Sequence, residues 1–517
     1  MVTLKESLTL AGENMLSNLS LDWDHFPFWS VSIGRDLRAK CNMDGPGHNV
    51  GRWWDAMLRL EAATGFAIPE PIEAAMLRNL EICLDNPFGL SGHTYGDSVR
   101  WVFYHSQRET MLALAVLARY RNSAWAAEAG ATMIQAHNRF LRDDGMWDNE
   151  ALQGIAAEHD IPLRKYKFAA HEKEGVYLTH SHGRLIEALL EFHMATNDAS
   201  ALDLASRCAE YHYEHSTLPD GTCPREPDLH THSLFGTYRG LLMYGQLARR
   251  NEFVERVAKT YEVTVRPSIK RSGFVSHDWG ADNRGETASA GDAAQLALWL
   301  AQVGYDEYLD DAQRYVRARI LPSQITEPLG LVPSADDDLD AYANLDTRAV
   351  GAYGGMHRHP HGEALPTTDI TAACLHTLCD IYTHVVEPTE LGLRINFHFD
   401  YEDDDVRVGR CYGDTGRLSV LAKKRQPLLI RVPGWAPDGS VRLMLNGQII
   451  PLAWIGRSLL VGPQAERTTV EAEYALPEET VTEPTDGVDY RISWRGDEVV
   501  GISPNTDFIP FYPTLPA

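Results

Sequence analysis

The sequence has no apolar run of the ~18 residues that a membrane-spanning helix needs, and it has no excess of basic residues. Its formal net charge is −25, a poor electrostatic match for a phosphate backbone or an anionic membrane surface. Nucleic acid and membrane are therefore excluded as expected partners. Cysteine is scarce. The seven cysteines are scattered and form no CxxC, which predicts free thiols in a reducing compartment, the cytoplasm, rather than a disulfide framework. Cys374 and Cys379 fall inside an apolar helical stretch and read as core. The first twenty residues lack a basic segment followed by an apolar one, so no secretory signal is expected. No GxGxxG follows a strand, and neither GxxxxGK[ST] nor GxSxG occurs, so no nucleotide cofactor and no serine-hydrolase elbow is expected.

What is present is a polar cluster that recurs at the start of one apolar helix after another. It opens "HSQRETMLALAVLARY" from His105, "HSHGRLIEALLEFH" from His180 and "HTHSLFGTYRGLLMYGQLARR" from His230. It opens "GETASAGDAAQLALWLAQVG" from Gly285 and "HGEALPTTDITAACLHTLCDIYTH" from His361. Each cluster leads into about four turns with apolar residues at three- and four-residue spacing. A helix that is polar at its start and apolar beyond it is a buried helix whose N-terminal end opens on a wet cavity. Five such starts imply that those ends converge on a site.

From residue 51 to residue 384 the helices come in pairs. The first of a pair is apolar after its polar start, and the second is amphipathic, as in "ALDLASRCAEYHYEH". Repeated about six times, this predicts a closed toroid of helical hairpins, an (α/α)6 barrel, with a superhelical solenoid as the alternative. At "VVEPTELG" the period changes from 3.6 to 2, and short strands follow, separated by Pro433-Gly434, Asp438-Gly439 and Asn446-Gly447. These predict a C-terminal antiparallel β-sandwich. The expected organisation is an N-terminal segment over 1–45 packing on the barrel, the barrel over 46–387, and the sandwich over 388–517. An appended sandwich often serves dimerisation, and a homodimer is compatible with this organisation.

Paired carboxylates are the usual machinery for breaking a glycosidic bond. The acids at the helix starts are Glu109, Glu286, Asp292, Glu363 and Asp369, joined by Asp278 in "SHDWG". Each is also a good helix cap. The segments "HTH", "THSHGR" and "MHRHPHGE" attract metal by composition but match no defined metal motif. Histidine also binds sugar hydroxyls, and the reading assigns these segments to substrate, with no metal and no cofactor. Arg184 and Arg239 have the geometry to grip a carboxylate. Trp53, Trp54 and Trp279 stand beside acidic residues, where aromatic faces stack on sugar rings, and at least one of the 53–54 pair reads as core.

The segments "SHGRLIEALLEFHMATND", "GETASAGDAAQLALWLAQVGYDEYLDDAQRYVRARILPSQI", "INFHFDYEDDDVRV", "LLIRVPGW", "LMLNGQ", "RSLLVG" and "YRISWRGDEVVGISP" resemble glycoside hydrolase family 127, the β-L-arabinofuranosidase-like proteins, over roughly residues 180–505. The resemblance implies an (α/α)6 barrel followed by a β-sandwich. It also implies a Glu-Thr-Cys motif and a later adjacent cysteine pair that hold zinc, one cysteine of the pair being the nucleophile. Here Glu286-Thr287 matches, but position 288 is alanine, and "GEALPTTD" stands where the pair would fall. The expectation is then a metal-independent glycoside hydrolase acting on a small glycoside or oligosaccharide. Glu286 and Glu363 are its first catalytic candidates, and Asp278 and Asp369 come next. His105, His180, His182, Arg184, His232, Arg239, Trp53, Trp279 and Tyr353 are its expected substrate contacts. Two other readings stay open. One is an oligosaccharide lyase or sugar epimerase with a His or Tyr base on the rim formed by His180, Arg184, Tyr238, Arg239 and Tyr353. The other is a carbohydrate-binding homologue without activity.

Overall fold

A computed structural model describes residues 2–94, 99–102, 104–161, 176–223 and 230–516. Twelve helices of this chain build the barrel, and we number them α1 to α12. The inner ones are α2 (Pro46–Thr64), α4 (Gln107–Arg121), α6 (His182–Thr196), α8 (Thr231–Leu247), α10 (Thr287–Gln302) and α12 (Thr368–Thr383). Each packs on the next, and α12 packs back on α2, so the ring closes and the solenoid alternative falls. The outer helices are α3 (Glu70–Leu84), α5 (Ala124–Phe140), α7 (Ala199–His215), α9 (Asn251–Thr260) and α11 (Leu309–Tyr315), each against the inner helix before it. The sixth outer helix is the first in the chain. α1 (Leu4–Ser17), with a Thr3–Glu6 capping box, lies against α12 and α2.

Local chemistry sets these boundaries. Asn122 and Asn197 end α4 and α6 in the left-handed conformation that short polar side chains tolerate. Asp198 caps α7 through two backbone N–H groups. The inner helices are buried all round, because outer helices cover one face and the barrel axis the other. In α10 every residue from Thr287 to Ala301 is buried. Among the described residues no helix is long and apolar enough to cross a membrane.

Close packing of the ring depends on small residues at the crossings. Gly51 of α2 lies against the backbone of α4, and a Cβ there would fall 2.5 Å from the Glu109 carbonyl carbon.

The C-terminal strands form two facing sheets. One runs β3-β4-β5-β11-β7-β8 (Tyr401–Glu402, Val406–Tyr412, Thr415–Ala422, Thr468–Ala475, Arg442–Leu445, Gln448–Ile450). The other runs β9-β10-β6-β2-β1 (Trp454–Ile455, Ser458–Val461, Leu428–Arg431, Gly392–Ile395, Val386–Thr389). One pair departs from the expected antiparallel pattern. β6 runs parallel to β2, with Leu428 beside Leu393, because the chain passes through β3–β5 of the opposite sheet between them. Parallel neighbours require such a crossover. A third sheet, β12-β13-β14 (Glu478–Thr485, Val488–Arg495, Glu498–Ser503), packs Ile492, Trp494 and Ile502 with Ala318, Ile325 and Ala364 of the barrel. Arg317, fully buried, joins barrel to strands through Asp497 at 2.6 Å.

Replacing Gly51 by alanine forces α2 and α4 apart at the level of Glu109. A loss of about 1–3 kcal/mol is expected, the range for overpacking, and urea unfolding of the variant measures it.

Candidate functional site

The N-terminal ends of the inner helices converge on a cavity of about 320 Å³. His48 comes from the first turn of α2, which starts after the left-handed Gly45 at Pro46. His105 and His180 sit on single 3₁₀ turns just ahead of α4 and α6. His230 and Glu286 are the residues immediately before α8 and α10, and Asp369 is in the first turn of α12. The loop between α9 and α10 adds His277 and Asp278. The wall is a continuous arc of imidazoles. Ring centroids are 5.3 Å apart for His48–His105, 5.2 Å for His105–His180, 4.9 Å for His180–His230 and 4.6 Å for His230–His277. Trp29 lies beside His48, centroids 5.9 Å apart.

Four carboxylates line this cavity, Asp44, Asp278, Glu286 and Asp369, and the last three are held ionised. Burial alone would raise the Asp369 carboxyl, but Arg52 and His48 hold it well below the usual carboxylate range. Arg52 Nε donates to Asp369 Oδ1 at 2.7 Å, and His48 Nε2 lies 2.8 Å from the same oxygen. Burial is likewise outweighed at Glu286, where His230, His277 and His232 hold the carboxyl at about 2. Asp278 is lowered despite burial by its contact with His277, Nδ1 to Oδ1 at 2.6 Å, and by Arg284. The histidines go the other way. Burial and the neighbouring Arg184 keep His105 neutral, and burial lowers His277. The helix ends add their own positive potential, which also favours ionised carboxylates.

Beneath the cavity a column of buried charge runs down the barrel axis. Glu109 is paired with Arg184 and lies 3.2 Å from Arg108 and 3.5 Å from Arg52 and His48. Next comes Glu187, 3.0 Å from Arg108, 2.8 Å from Arg239 and 3.4 Å from His376. His376 is 2.6 Å from Asp55, which Arg59 bonds at 2.7 Å. His232 bonds Asp292 at the top of the column.

The structure divides the residues expected from sequence. Glu286, Asp369, Asp278, His105 and His180 line the cavity together. Arg184, His232 and Arg239 lie below it in the charge column, and Arg184 reaches up to His105 at 2.9 Å. The others do not reach the cavity. Glu363 sits in a left-handed backbone position, φ 66°, facing Arg35 at 3.3 Å and Thr506 at 3.4 Å. In the long segment between α11 and α12, this left-handed turn aims the side chain at the C-terminal segment. Trp53 fills the core and donates to the Met15 carbonyl. Trp279 lines a separate cavity of about 350 Å³, against Phe235. His182 faces outward, 3.0 Å from the Gly145 carbonyl. Tyr353 and Tyr238 are buried, with hydroxyls on Ser7 and on the Ser216 carbonyl. Sequence reasoning left out His48, His93 and His277 as cavity residues, and it took His230 only as part of a segment assigned to substrate. His230 and His277 stand in "HTH" and "SHDWG", but only the fold brings those segments together.

The family 127 thiolate set does not fit this chain. All seven cysteines are free and none lines the cavity. Cys374 is buried within α12, and burial pushes its thiol well up.

With the barrel, the β-sandwich and the cavity at the inner helix starts in place, comparison with solved structures bears on the fold. No family model and no curated protein matches the sequence. Among solved structures the chain is similar to a GH127 β-L-arabinofuranosidase from Geobacillus stearothermophilus T6, with TM-score 0.58 and 10% identity over 88% of this chain and 76% of that one. It is similar to a second GH127 β-arabinofuranosidase, with TM-score 0.55 and 14% identity over 95% of this chain and 78% of that one. A structure described as a glycoside hydrolase gives TM-score 0.56 and 12% identity over 87% and 77%. The chain therefore has the fold of the family 127 enzymes.

Glu187→Ala leaves Arg108 and Arg239 buried without their shared carboxylate. A loss of about 3–5 kcal/mol is expected, measured by chemical unfolding, whereas exposed Arg78→Ala, facing Asp24 at the surface, should cost no more than about 1 kcal/mol.

Proposed function

We propose that the chain is a glycoside hydrolase that binds one end of a small glycoside or oligosaccharide in the histidine-lined cavity. The observation that carries this reading is the set of three ionised carboxylates, Asp278, Glu286 and Asp369, around a single cavity. Glycosidic cleavage passes through an oxocarbenium-like state that carries positive charge, and fixed negative groups in a secluded site stabilise such charge. The cavity is at the small end of the ~300–1,000 Å³ typical of ligand sites, which favours a terminal sugar over the middle of a polymer. Neutral imidazoles donate to and accept from sugar hydroxyls, and Trp29 offers an aromatic face.

Asp369 takes the role of base or nucleophile, because Arg52 and His48 fix one of its oxygens and keep it unprotonated. The lyase or epimerase reading loses support by comparison. Its Tyr238 and Tyr353 are engaged in the core, and Arg184 and Arg239 are engaged by Glu109 and Glu187. None of these four is among the residues lining the cavity.

The test is a panel of aryl glycosides (arabinofuranosides, glucuronides, galactosides, rhamnosides) and uronic-acid oligosaccharides, read for released phenol and for new ultraviolet absorbance. Phenol release is expected. Asp369→Asn should lower kcat/KM by about 10²–10⁴-fold, and Glu363→Gln should leave it near wild type. New absorbance without phenol would establish a lyase, and sugar binding without turnover would establish a binding protein. Either result overturns the proposal.

A further inference from the structure

We propose that His230, His277 and Glu286 form a binding site for one divalent first-row transition-metal ion, zinc being the first choice, in the wall of the cavity. A ligand nitrogen of each histidine and a carboxylate oxygen of Glu286 all lie within 4.8 Å of one another. Donors to one zinc ion, each at ~2.0–2.2 Å, stand no more than about 4.4 Å apart, so slight side-chain rotations close the set. His230 Nε2 and Glu286 Oε2 are already 3.0 Å apart.

Two features favour this triad as the site of an ion. The first is the outer shell of partners. His277 Nδ1 lies 2.6 Å from Asp278 Oδ1 and 3.2 Å from Arg284 Nη2, and His230 Nδ1 lies 3.1 Å from Ser233 Oγ. Each ring thereby commits its Nδ1 to an orienting oxygen and keeps its Nε2 for an ion, the arrangement that fixes tautomer and direction in metal-binding histidines. Glu286 Oε2 is steadied in turn by Ser289 Oγ at 3.2 Å.

The second feature is the backbone. The three ligands come from separate segments, but main-chain hydrogen bonds stitch these together. Thr231 N donates to the His277 carbonyl at 3.0 Å, and His277 N to the Arg284 carbonyl at 2.9 Å. His230 also bridges to Asp278, and Ser276 to Gly285. Glu286 is further pinned by the short strand Gly285–Glu286, which pairs with Met356–His357. Ligand positions are therefore set before an ion arrives, which is the condition for a tight site.

The donor set specifies the ion's chemistry. Two imidazoles and a carboxylate suit zinc, cobalt, manganese or iron(II) better than calcium, which takes six or more oxygens, or copper(I), which takes thiolates. Three protein ligands leave coordination positions open, as catalytic rather than structural sites do, and these positions face the cavity. From sequence alone the histidine-rich segments were assigned to sugar. The geometry assigns His230 of "HTH", together with His277 of "SHDWG", to an ion. The competing account is an ion pair that merely orients Glu286, which needs no metal.

The experiment is isothermal titration of the chelator-stripped chain with zinc chloride, followed by visible absorption with cobalt(II) and thermal melting with and without zinc. One ion per chain is expected, with ligand-field bands from cobalt and a melting temperature raised by zinc, as for any ligand of the native state. His277→Ala and Glu286→Gln should abolish the cobalt bands. Asp278→Asn, which touches the ion only through His277, should weaken binding by about 10–100-fold. The exposed His159→Ala serves as control and should bind as wild type. Circular dichroism shows whether each variant is folded. Binding that persists in the folded His230→Ala/His277→Ala double variant, or no stoichiometric binding by the wild-type chain, overturns the proposal. Binding is read without sugar, so a failure of the glycosidase reading leaves this result standing, and the reverse also holds.

Discussion

The structure depends on a column of paired charge inside a ring of apolar helices. Six helices around one axis leave a channel too narrow for bulk water and too long to be closed by a few apolar side chains. This chain fills it with Arg52, Arg59, Arg108, Arg184 and Arg239 interleaved with Asp55, Glu109, Glu187 and Asp369. Moving such ions out of water carries a cost of several kcal/mol each, which only close pairing offsets. Each carboxylate consequently bonds or faces more than one basic side chain. The column's upper end needs its charges as well, and there they meet the cavity. Asp369 belongs to both, bonded from below by Arg52 and open to the cavity above.

This coupling explains what was legible in the sequence. The polar helix starts were visible because a buried inner helix carries charge only along the axis, and its first turns add the polar residues that open on the cavity. Period and polarity together located every inner helix. The change of period near Val386 located the sandwich in the same way, because a half-buried strand alternates. Two features of the fold were not legible. α1 carries no mark of being the sixth outer helix, since its partners α12 and α2 are set by ring closure. The parallel β2–β6 pair follows from a long crossover that strand patterning does not encode.

The candidate site was legible in the same uneven way. Glu286 and Asp369 stand at helix starts, so the rule that found the helices found them. Glu363 obeyed the same local pattern and still points elsewhere, because a left-handed residue in a loop turns it toward Thr506 and Arg35. His277 shows the converse. It lies in a loop with no periodicity, and its importance comes from hydrogen bonds to segments on either side. Proximity between loops is a property of the closed ring, and no local sequence signal carries it.

The same reasoning bears on how one scaffold hosts different chemistry. In the family 127 pattern that the sequence resembles, the residues after Glu286-Thr287 and before the last inner helix would supply thiolates. Here those positions hold Ala288 and "GEALPTTD", and the proposed ligands come instead from the segments before α8 and α10. Such a move needs no change in the barrel. The inner helix ends are equivalent by approximate symmetry, each presenting a first turn and a preceding loop to the same cavity. A ligand lost at one end is replaceable from its neighbour, provided the loops are tied to each other as firmly as the helices. The backbone bonds joining residues 230–231, 276–278 and 284–286 supply that tie. What constrains the site is therefore the stitching of loops above the ring, while the charge column below keeps the ring itself in place.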